Sequence, residues 1–170
     1  MRRVASKAKT GVKAYIALGA NLGDPPSQLR AALERLRASV EVDVVAVSGF
    51  YRTPPLGPPG QPDYCNAVCA VETGLEPEAL LDLLQSIENA AGRKRDGERW
   101  GPRILDLDLL HVEGRVSRTP RLTLPHPQLR QRAFVLVPLA EIAPGLSIPG
   151  LGLVADLAAA VDASGVVRWD

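Results

Sequence analysis

Aromatic residues are scarce in this sequence. Phe, Trp and Tyr make up 4% of the 170 residues. That is few for a sheet-based RNA-binding module, because such modules stack bases on surface aromatics. An excess of one charge is also missing, since 20 Lys and Arg balance 19 Asp and Glu. The total charge therefore indicates neither a nucleic-acid partner nor a membrane partner.

Long apolar runs are missing too. No run approaches the ~18 residues of a membrane span. The basic start of the chain lacks the apolar stretch of a secretory signal. We therefore expect a cytoplasmic protein with a disordered tail over residues 1–13 and a single domain over residues 14–170.

Cysteine is limited to Cys65 and Cys69. Both fall on one predicted strand, where four residues at ~3.3 Å each separate their backbones by about 13 Å. This separation is too large for a disulfide. The pair is expected to be two free thiols that fill the core in a reducing compartment.

The apolar periodicity predicts four strands and two long helices. The strands are expected over residues 14–19, 42–53, 64–73 and 104–112, with one helix capped by Ser27 and another over residues 77–91. This β-α-β-β-α-β order predicts an α+β fold of the ferredoxin-like type, an antiparallel sheet with helices on one face. An added C-terminal segment holds a hairpin near residues 114–124 and helices over residues 132–142 and 153–161.

Two carboxylates stand out on the fourth predicted strand. Because side chains alternate along a strand, Asp106 and Asp108 share one face, about 6.5 Å apart, while the leucines around them face the core. Like charges so close need a positive partner, and Mg²⁺ takes one or two carboxylates together with substrate phosphates. The alternative is a solvated strand face with two ordinary acids.

A cationic loop over residues 92–103 leads directly into this strand. It holds five Arg or Lys and three Gly residues, which suits a mobile lid that grips a polyphosphate. Its Trp100 either closes over a substrate or anchors the loop. The alternative is a solvated charged loop. The proline-rich loop over residues 54–62 is long enough to be functional as well.

Polar residues on predicted apolar elements are further candidates. Glu88 borders the apolar stripe of the second helix with Gln85 one turn earlier, where it would bind a substrate or pair with an arginine. Tyr64 and Asn66 share one face of the third strand, and an amide offers the donor and acceptor that a heterocycle edge requires.

His126 lies between two prolines, which bias its backbone towards an extended form. With Arg121 and Arg132 nearby in sequence, it is a candidate phosphate contact. The alternative is a histidine that serves only as a structural hydrogen-bonding residue.

Together these segments resemble the 6-hydroxymethyl-7,8-dihydropterin pyrophosphokinase family. The resemblance runs from about residue 14 to residue 150, and its most specific part is Arg-Trp-Gly-Pro-Arg followed by Leu-Asp-Leu-Asp. The matching segments, in family order, are Tyr15–Gly23, Phe50–Pro58, Gln61–Ala67, Arg99–Arg103, Leu105–Asp108 and Leu124–Pro127. Ala20 replaces a common serine, and Pro127 follows the histidine where an aromatic occurs; neither change removes a charge.

The resemblance implies transfer of the β,γ-diphosphate of ATP to the hydroxymethyl group of the pterin, with release of AMP. It implies two Mg²⁺ ions on Asp106 and Asp108. We also expect a monomer that binds neither nucleic acid nor membrane. The implied catalytic residues are Arg93, Arg95, Arg103, Asp106 and Asp108. The implied pterin contacts are Thr53, Pro54, Pro55, Leu56, Tyr64, Asn66, Trp100 and Phe134. The implied nucleotide contacts are Gln85, Glu88, Arg95, Trp100, Arg103, Leu109, Arg121, Thr123, His126 and Arg132.

Three other functions compete with this interpretation. A ferredoxin-like RNA-binding module would use the arginine loop for phosphates, but the carboxylate pair would repel RNA. A catalytically silent relative would act as a binding protein, which the intact Asp106, Asp108 and Arg103 argue against. A kinase that transfers a single phosphoryl group would release ADP instead of AMP, so the product distinguishes it.

Overall fold

The computed structural model describes residues 11–55, 60–92 and 105–169. The predicted roles of Leu56, Arg93, Arg95, Trp100 and Arg103 lie outside these described residues, as does the expected disorder of residues 1–10. Within the described ranges, no helix has the length and apolar character needed to cross a membrane.

Ten strands and four α-helices make up this part of the chain. The strands are β1 (Val12–Ala20), β2 (Val42–Val47), β3 (Tyr51–Thr53), β4 (Tyr64–Thr73), β5 (Asp106–Val112), β6 (Ser117–Arg118), β7 (Thr123–Leu124), β8 (Ser147–Ile148), β9 (Gly152–Leu153) and β10 (Val167–Arg168). The helices are α1 (Pro25–Ala38), α2 (Pro77–Ala90), α3 (Ala133–Ile142) and α4 (Val154–Ala160), with a 3₁₀ turn at Leu129–Gln131.

The main sheet is antiparallel throughout its described pairs. Its order is β10-β3-β4-β1-β5, and β2 also pairs with β4. The long strand β4 therefore has β1 on one side and both β2 and β3 on the other. The expected mixed fold with an antiparallel sheet is confirmed. The hairpins β6-β7 and β8-β9 form two small separate sheets.

The single strand expected over residues 42–53 is wrong, because it is interrupted between β2 and β3. The Ser48 side chain replaces regular pairing at the break: its Oγ accepts a hydrogen bond from Val68 N (3.0 Å) and donates one to the Gly49 carbonyl (2.7 Å). The Gly49 N–H in turn donates to both carboxylate oxygens of Glu141 on α3, each at 3.1 Å. Side-chain hydrogen bonds thus divide an otherwise β-branched stretch.

The sheet is covered on both faces: the two long helices α1 and α2 share one face, as expected, and the C-terminal helices, whose face was not predicted, cover the other. Helices α1 and α2 pack leucines such as Leu29 and Leu84 against Ile16 on the first face. Helices α3 and α4 pack against the second face, where Leu136 meets Val68 in a separate cluster. Strand alternation produces the two clusters, because neighbouring residues of β1 and β4 point to opposite faces.

Two element starts differ from the sequence prediction. Strand β1 begins at Val12, which pairs with Thr73, so residues 12 and 13 belong to the sheet and not to a tail. The N-cap of α1 is Asp24, with prolines in the first helical turn. Ser27, the predicted cap, donates its hydroxyl to Asp24 Oδ2 at 2.8 Å instead. Proline is tolerated in the first turn of a helix because backbone N–H groups there have no partner within the helix, so the N–H that proline lacks is not needed.

Cys65 and Cys69 are both free and buried under the first face, as expected. Burial raises the pKa of each thiol to about 12, because the thiolate would lose its hydration. Both side chains are therefore inert core fillers.

Candidate active site

The register of β1 brings the sequence candidates together. Gly19 pairs with Asn66 of β4 on one side and with Asp106 of β5 on the other. Residues directly opposite in an antiparallel pair point to the same face. Ala17 forms the next row with Asp108. The predicted carboxylates and the predicted amide therefore share the second face of the sheet.

Gly19 provides the space between these groups. A Cβ atom at this position would lie 2.9 Å from Asn66 Oδ1 and 4.0 Å from Tyr64 Cδ2. The first distance is shorter than a carbon–oxygen contact allows, so any larger residue would displace the amide. Sequence reasoning placed Gly19 at the end of a strand and gave it no role; the signal was its occurrence inside an otherwise apolar strand.

Asn66 and Thr53 form a buried polar pair beside Gly19. The Asn66 amide Nδ2 donates to Thr53 Oγ1 at 2.8 Å, and both residues are buried. Thr53 ends β3 opposite Tyr64 and is followed by Pro54 and Pro55. The structure therefore brings the described members of the predicted pterin segment to one end of the sheet.

Arg132 links the carboxylates to the start of α3. Its Nη1 lies 3.7 Å from Asp108 Oδ2, and its guanidinium lies 5.7 Å from the centre of the Phe134 ring. Asp108 is half-exposed in this ion pair. Arg132 from the predicted nucleotide contacts, Phe134 from the predicted pterin contacts and the carboxylate Asp108 are thus neighbours on the second face.

His126 lies at the same edge. Its backbone N–H donates to the Leu110 carbonyl at 2.9 Å, and its Nδ1 accepts from Gln128 N at 3.2 Å. Burial lowers the pKa of His126; the nearby Asp108 charge raises it and the Arg132 charge lowers it further. The balance favours the neutral imidazole, with Nε2 carrying the proton because Nδ1 accepts a hydrogen bond.

Arg121 and Gln85 lie together beside α2. Arg121 forms ion pairs with Asp82 and with Glu78 (3.6 Å), and it donates to Gln85 Oε1 at 3.3 Å. The hydrogen bond to Asp82 raises the pKa of Arg121. Thr123 is exposed two residues further on, in β7. Contact of Arg121, Gln85 and Thr123 with the nucleotide stays a prediction.

Glu88 has a partner inside the protein. Its Oε2 accepts a hydrogen bond from the backbone N–H of Leu107 at 2.7 Å, and the residue is 7% exposed. Leu107 separates Asp106 from Asp108, so α2 fixes the strand that carries the pair. Sequence reasoning weighed an arginine or a substrate as the partner and missed this main-chain contact; its nucleotide role stays a prediction.

Leu109 is not brought to the candidate face. Its side chain is 3% exposed and packs in the cluster under α1 and α2. Because β5 alternates, this is the face opposite to Asp106 and Asp108. The burial argues against the predicted side-chain contact with the nucleotide.

The carboxylate pair fits a magnesium ion that also binds a substrate. Among residues 11–55, 60–92 and 105–169, no group of three or more His, Cys, Asp or Glu forms a closed cage. Mg²⁺ rarely uses such a cage; it keeps water and binds one or two carboxylates plus phosphate oxygens. Asp106 and Asp108 are half-buried on one strand face, which leaves their outer side open for such ligands.

A second histidine is buried away from these groups. His111 stacks on Tyr15 with ring centres 6.2 Å apart, and its Nδ1 has no hydrogen-bond partner among the described residues. Burial lowers the pKa of His111, opposed by the Glu113 charge. Because the unfolded chain then binds the proton more readily than the folded one, protonation of His111 opposes folding. The free energy of unfolding therefore falls as the pH drops below the ordinary histidine pKa of about 6.5, and this effect of His111 is absent above it.

Comparison with known proteins confirms the family resemblance. Residues 15–144 match the model of 7,8-dihydro-6-hydroxymethylpterin-pyrophosphokinase (HPPK). The chain is 49% identical over 156 residues to 2-amino-4-hydroxy-6-hydroxymethyldihydropteridine pyrophosphokinase of Methylorubrum extorquens, covering 92% of this chain and 98% of that one. It is 48% identical to the protein of the same name from Haemophilus influenzae over 146 residues, covering 86% and 91%.

Solved structures support the fold. The crystal structure of Plasmodium falciparum HPPK-DHPS with pteroate superimposes with a TM-score of 0.71 at 13% identity. The match covers 88% of this chain and 42% of that one. The present chain thus spans less than half of the Plasmodium protein, and the similarity concerns the fold alone.

Proposed function

The chain belongs to the 7,8-dihydro-6-hydroxymethylpterin-pyrophosphokinase family, and on that premise we propose that the sheet face carrying Asp106, Asp108 and Asn66 is its active site. The enzyme transfers diphosphate from ATP to hydroxymethyldihydropterin, a step of folate biosynthesis. The observation that carries the site assignment is the row Asn66–Gly19–Asp106 across three strands. It places an amide suited to a pterin edge beside carboxylates suited to a metal-bound phosphate.

The pterin would bind at the Asn66 end of this row. A buried amide offers both a donor and an acceptor to the edge of a heterocycle. Thr53 holds the amide in place through the 2.8 Å hydrogen bond. Tyr64 and Phe134 would stack on the ring, and the segment from Thr53 to Pro55 would border it. Specificity would follow from the buried polar groups, which stay unpaired when a ligand lacks the matching atoms.

The triphosphate would bind at the Asp106 and Asp108 end. Two Mg²⁺ ions held by these carboxylates would supply electrostatic stabilisation of the charge that develops on the phosphates. Arg132, already 3.7 Å from Asp108, would turn its guanidinium towards a phosphate oxygen, and neutral His126 would donate a hydrogen bond from Nε2. Gln85, Glu88, Arg121 and Thr123 are assigned to the nucleotide on the family resemblance.

The transfer itself is a substitution at the β-phosphorus. The hydroxymethyl oxygen of the pterin attacks, forms a new P–O bond and loses its proton. The bond from the β-phosphorus to the α,β-bridging oxygen breaks, and AMP leaves with that oxygen. Positioning and electrostatics carry most of such a transfer. Arg93, Arg95, Arg103 and Trp100 are proposed to complete the site.

We also infer the finer fold and setting. The order β5-β1-β4, with β2 and β3 at the far edge, supports the ferredoxin-like βαββαβ pattern. A monomer in the cytoplasm remains the expected state, with ATP and the pterin as its partners.

The test is AMP release from ATP, Mg²⁺ and 6-hydroxymethyl-7,8-dihydropterin. Asp106→Ala is expected to lower turnover by at least about 10²-fold, because it removes a preorganised charge from the reacting phosphates. Asp43→Ala is the matched control. Asp43 pairs with Glu72 about 20 Å along the sheet from the Gly19 row, and this control should keep near-normal activity.

Three results would count against the proposal. Release of ADP instead of AMP would show that the enzyme transfers a single phosphoryl group and not a diphosphate. Near-normal turnover in Asp106→Ala would contradict the metal assignment. Full activity after removal of divalent ions with EDTA would show that no magnesium is needed.

A further inference from the structure

The strand β10 covers an edge of the sheet that the proposed pterin segment depends on. Strand β3 has three residues and would be the sheet edge without β10, which pairs through Val167 with Arg52 and through Arg168 with Tyr51. The next backbone N–H, of Trp169, donates to the Phe50 carbonyl at 2.9 Å. We call residues 163–169 the β10 segment.

The Trp169 side chain extends this contact onto Arg52. The Arg52 guanidinium carbon lies 3.8 Å from the centre of the Trp169 ring, which is close cation–π stacking. Arg52 Nη1 also lies 3.8 Å from Asp63 Oδ2, just before β4. Trp169 is partly buried against the first core cluster. The Trp169 ring therefore joins the core to Arg52 of β3, and Arg52 in turn contacts the end of the loop that returns to β4.

Arg168 of β10 makes contacts on the other face of the sheet. Its Nη1 lies 3.9 Å from Glu141 Oε1, and its guanidinium lies 5.4 Å from the Tyr51 ring. Glu141 accepts a hydrogen bond from Tyr51 Oη at 2.7 Å as well as from the Gly49 N–H. A Cβ atom on Gly49 would lie 2.7 Å from the Arg168 guanidinium, so the guanidinium lies directly over the Gly49 backbone.

The turn before β10 lies against the pterin segment itself. The Val166 N–H donates to the Ala163 carbonyl at 3.0 Å and closes this turn. A Cβ atom on Gly165 would lie 3.5 Å from Pro54 Cδ. Pro54 directly follows Thr53, whose hydroxyl holds Asn66. The β10 segment therefore pairs with the two residues before Thr53 and lies close to the proline after it.

We propose that the β10 segment is a positioning clamp for the pterin site, with Trp169 and Arg168 as positioning residues that act through β3. The proposal rests on the proposed function, because it assumes that Thr53, Pro54 and Asn66 bind the pterin. A three-residue strand paired on one side has few hydrogen bonds to hold its end in place. Pairing on both sides restricts Thr53 before the ligand arrives, and such preorganisation lowers the entropy cost of binding.

The test compares two dissociation constants for each full-length variant. Calorimetry measures binding of 6-hydroxymethyl-7,8-dihydropterin with a non-hydrolysable ATP analogue and Mg²⁺ present, and separately the binding of that analogue alone. Trp169→Ala is expected to weaken pterin binding about tenfold, because small misplacements of site groups are costly. Analogue binding should stay within about twofold. Trp169→Phe should recover most of the loss, since a ring over Arg52 remains.

Two further variants separate positioning from stability. Arg168→Gln removes the charge that faces Glu141 without removing apolar packing, and it should weaken pterin binding in the same direction. Val154→Ala shortens a buried residue of α4 in the second cluster; it should lower the stability against urea while leaving both dissociation constants unchanged.

The outcomes distinguish the clamp from the proposed function. If wild type does not bind the pterin, the proposed function fails first. If wild type binds it, but Trp169→Ala and Arg168→Gln bind it equally well, the clamp is refuted. A parallel loss of pterin and analogue binding refutes it too, because the β10 segment would then support only the fold.

Discussion

Gly19→Ala is the sharpest test of the candidate site, because one methyl group is added at its centre. The new Cβ would lie 2.9 Å from Asn66 Oδ1, so the amide must move by a few tenths of an ångström. Asn66 is 7% exposed and has little free space around it. The displacement should therefore break or bend its 2.8 Å hydrogen bond to Thr53.

The two hydrogen bonds of the Asn66 amide count in different measurements. The bond from the amide to the pterin forms only in the complex, so its loss, at about 0.5–1.5 kcal/mol, weakens the pterin affinity roughly 2- to 13-fold. The Asn66–Thr53 bond lies within the protein, so its loss lowers the stability by about 0.5–1.5 kcal/mol. Stability should change little, because replacing glycine also restricts the unfolded chain and stabilises by about 0.4–1 kcal/mol.

Calorimetry measures the dissociation constants of the pterin and of the ATP analogue for Gly19→Ala, Asn66→Ala and the double variant, which together form a double-mutant cycle. If Gly19→Ala acts through the amide, the double variant should bind the pterin no worse than Asn66→Ala alone. Gly145→Ala is the matched control, since its Cβ would meet no atom of the described residues within 4 Å. Unchanged pterin affinity in Gly19→Ala, or additive losses in the cycle, would refute the reasoning.

Local patterns predicted much of the fold. Alternation along β5 placed Asp106 and Asp108 on one face, and the leucine spacing predicted α2, which the structure has at Pro77–Ala90. These features depend on neighbouring residues and on the repeat of one element. Helices were predicted in the regions of α3 and α4, but the sheet face that they cover was not. The apolar pattern of a helix shows which of its own sides is buried and not the element against which it packs.

Long-range contacts explain what the sequence could not reveal. The row through Gly19 depends on the register of three strands, which the pattern of a single strand does not determine. Glu88 is bonded to a backbone N–H 19 positions away, a partner with no side-chain signature. Strand β10 has two residues, too few for an alternating pattern, and only its pairing with β3 identifies it.

Two further predictions concern stability. Glu88→Ala should lower the free energy of unfolding by about 1–3 kcal/mol, because it leaves the buried Leu107 N–H unpaired. Glu88→Gln keeps an acceptor and should lose less; urea titration of both variants checks this, and equal losses would contradict it. His111→Phe should flatten the decline in stability below pH 6.5, because it removes the imidazole whose pKa burial lowers. Urea midpoints from pH 5 to pH 8 measure it. A decline as steep as in wild type would show that other groups, such as His126, cause the acid sensitivity.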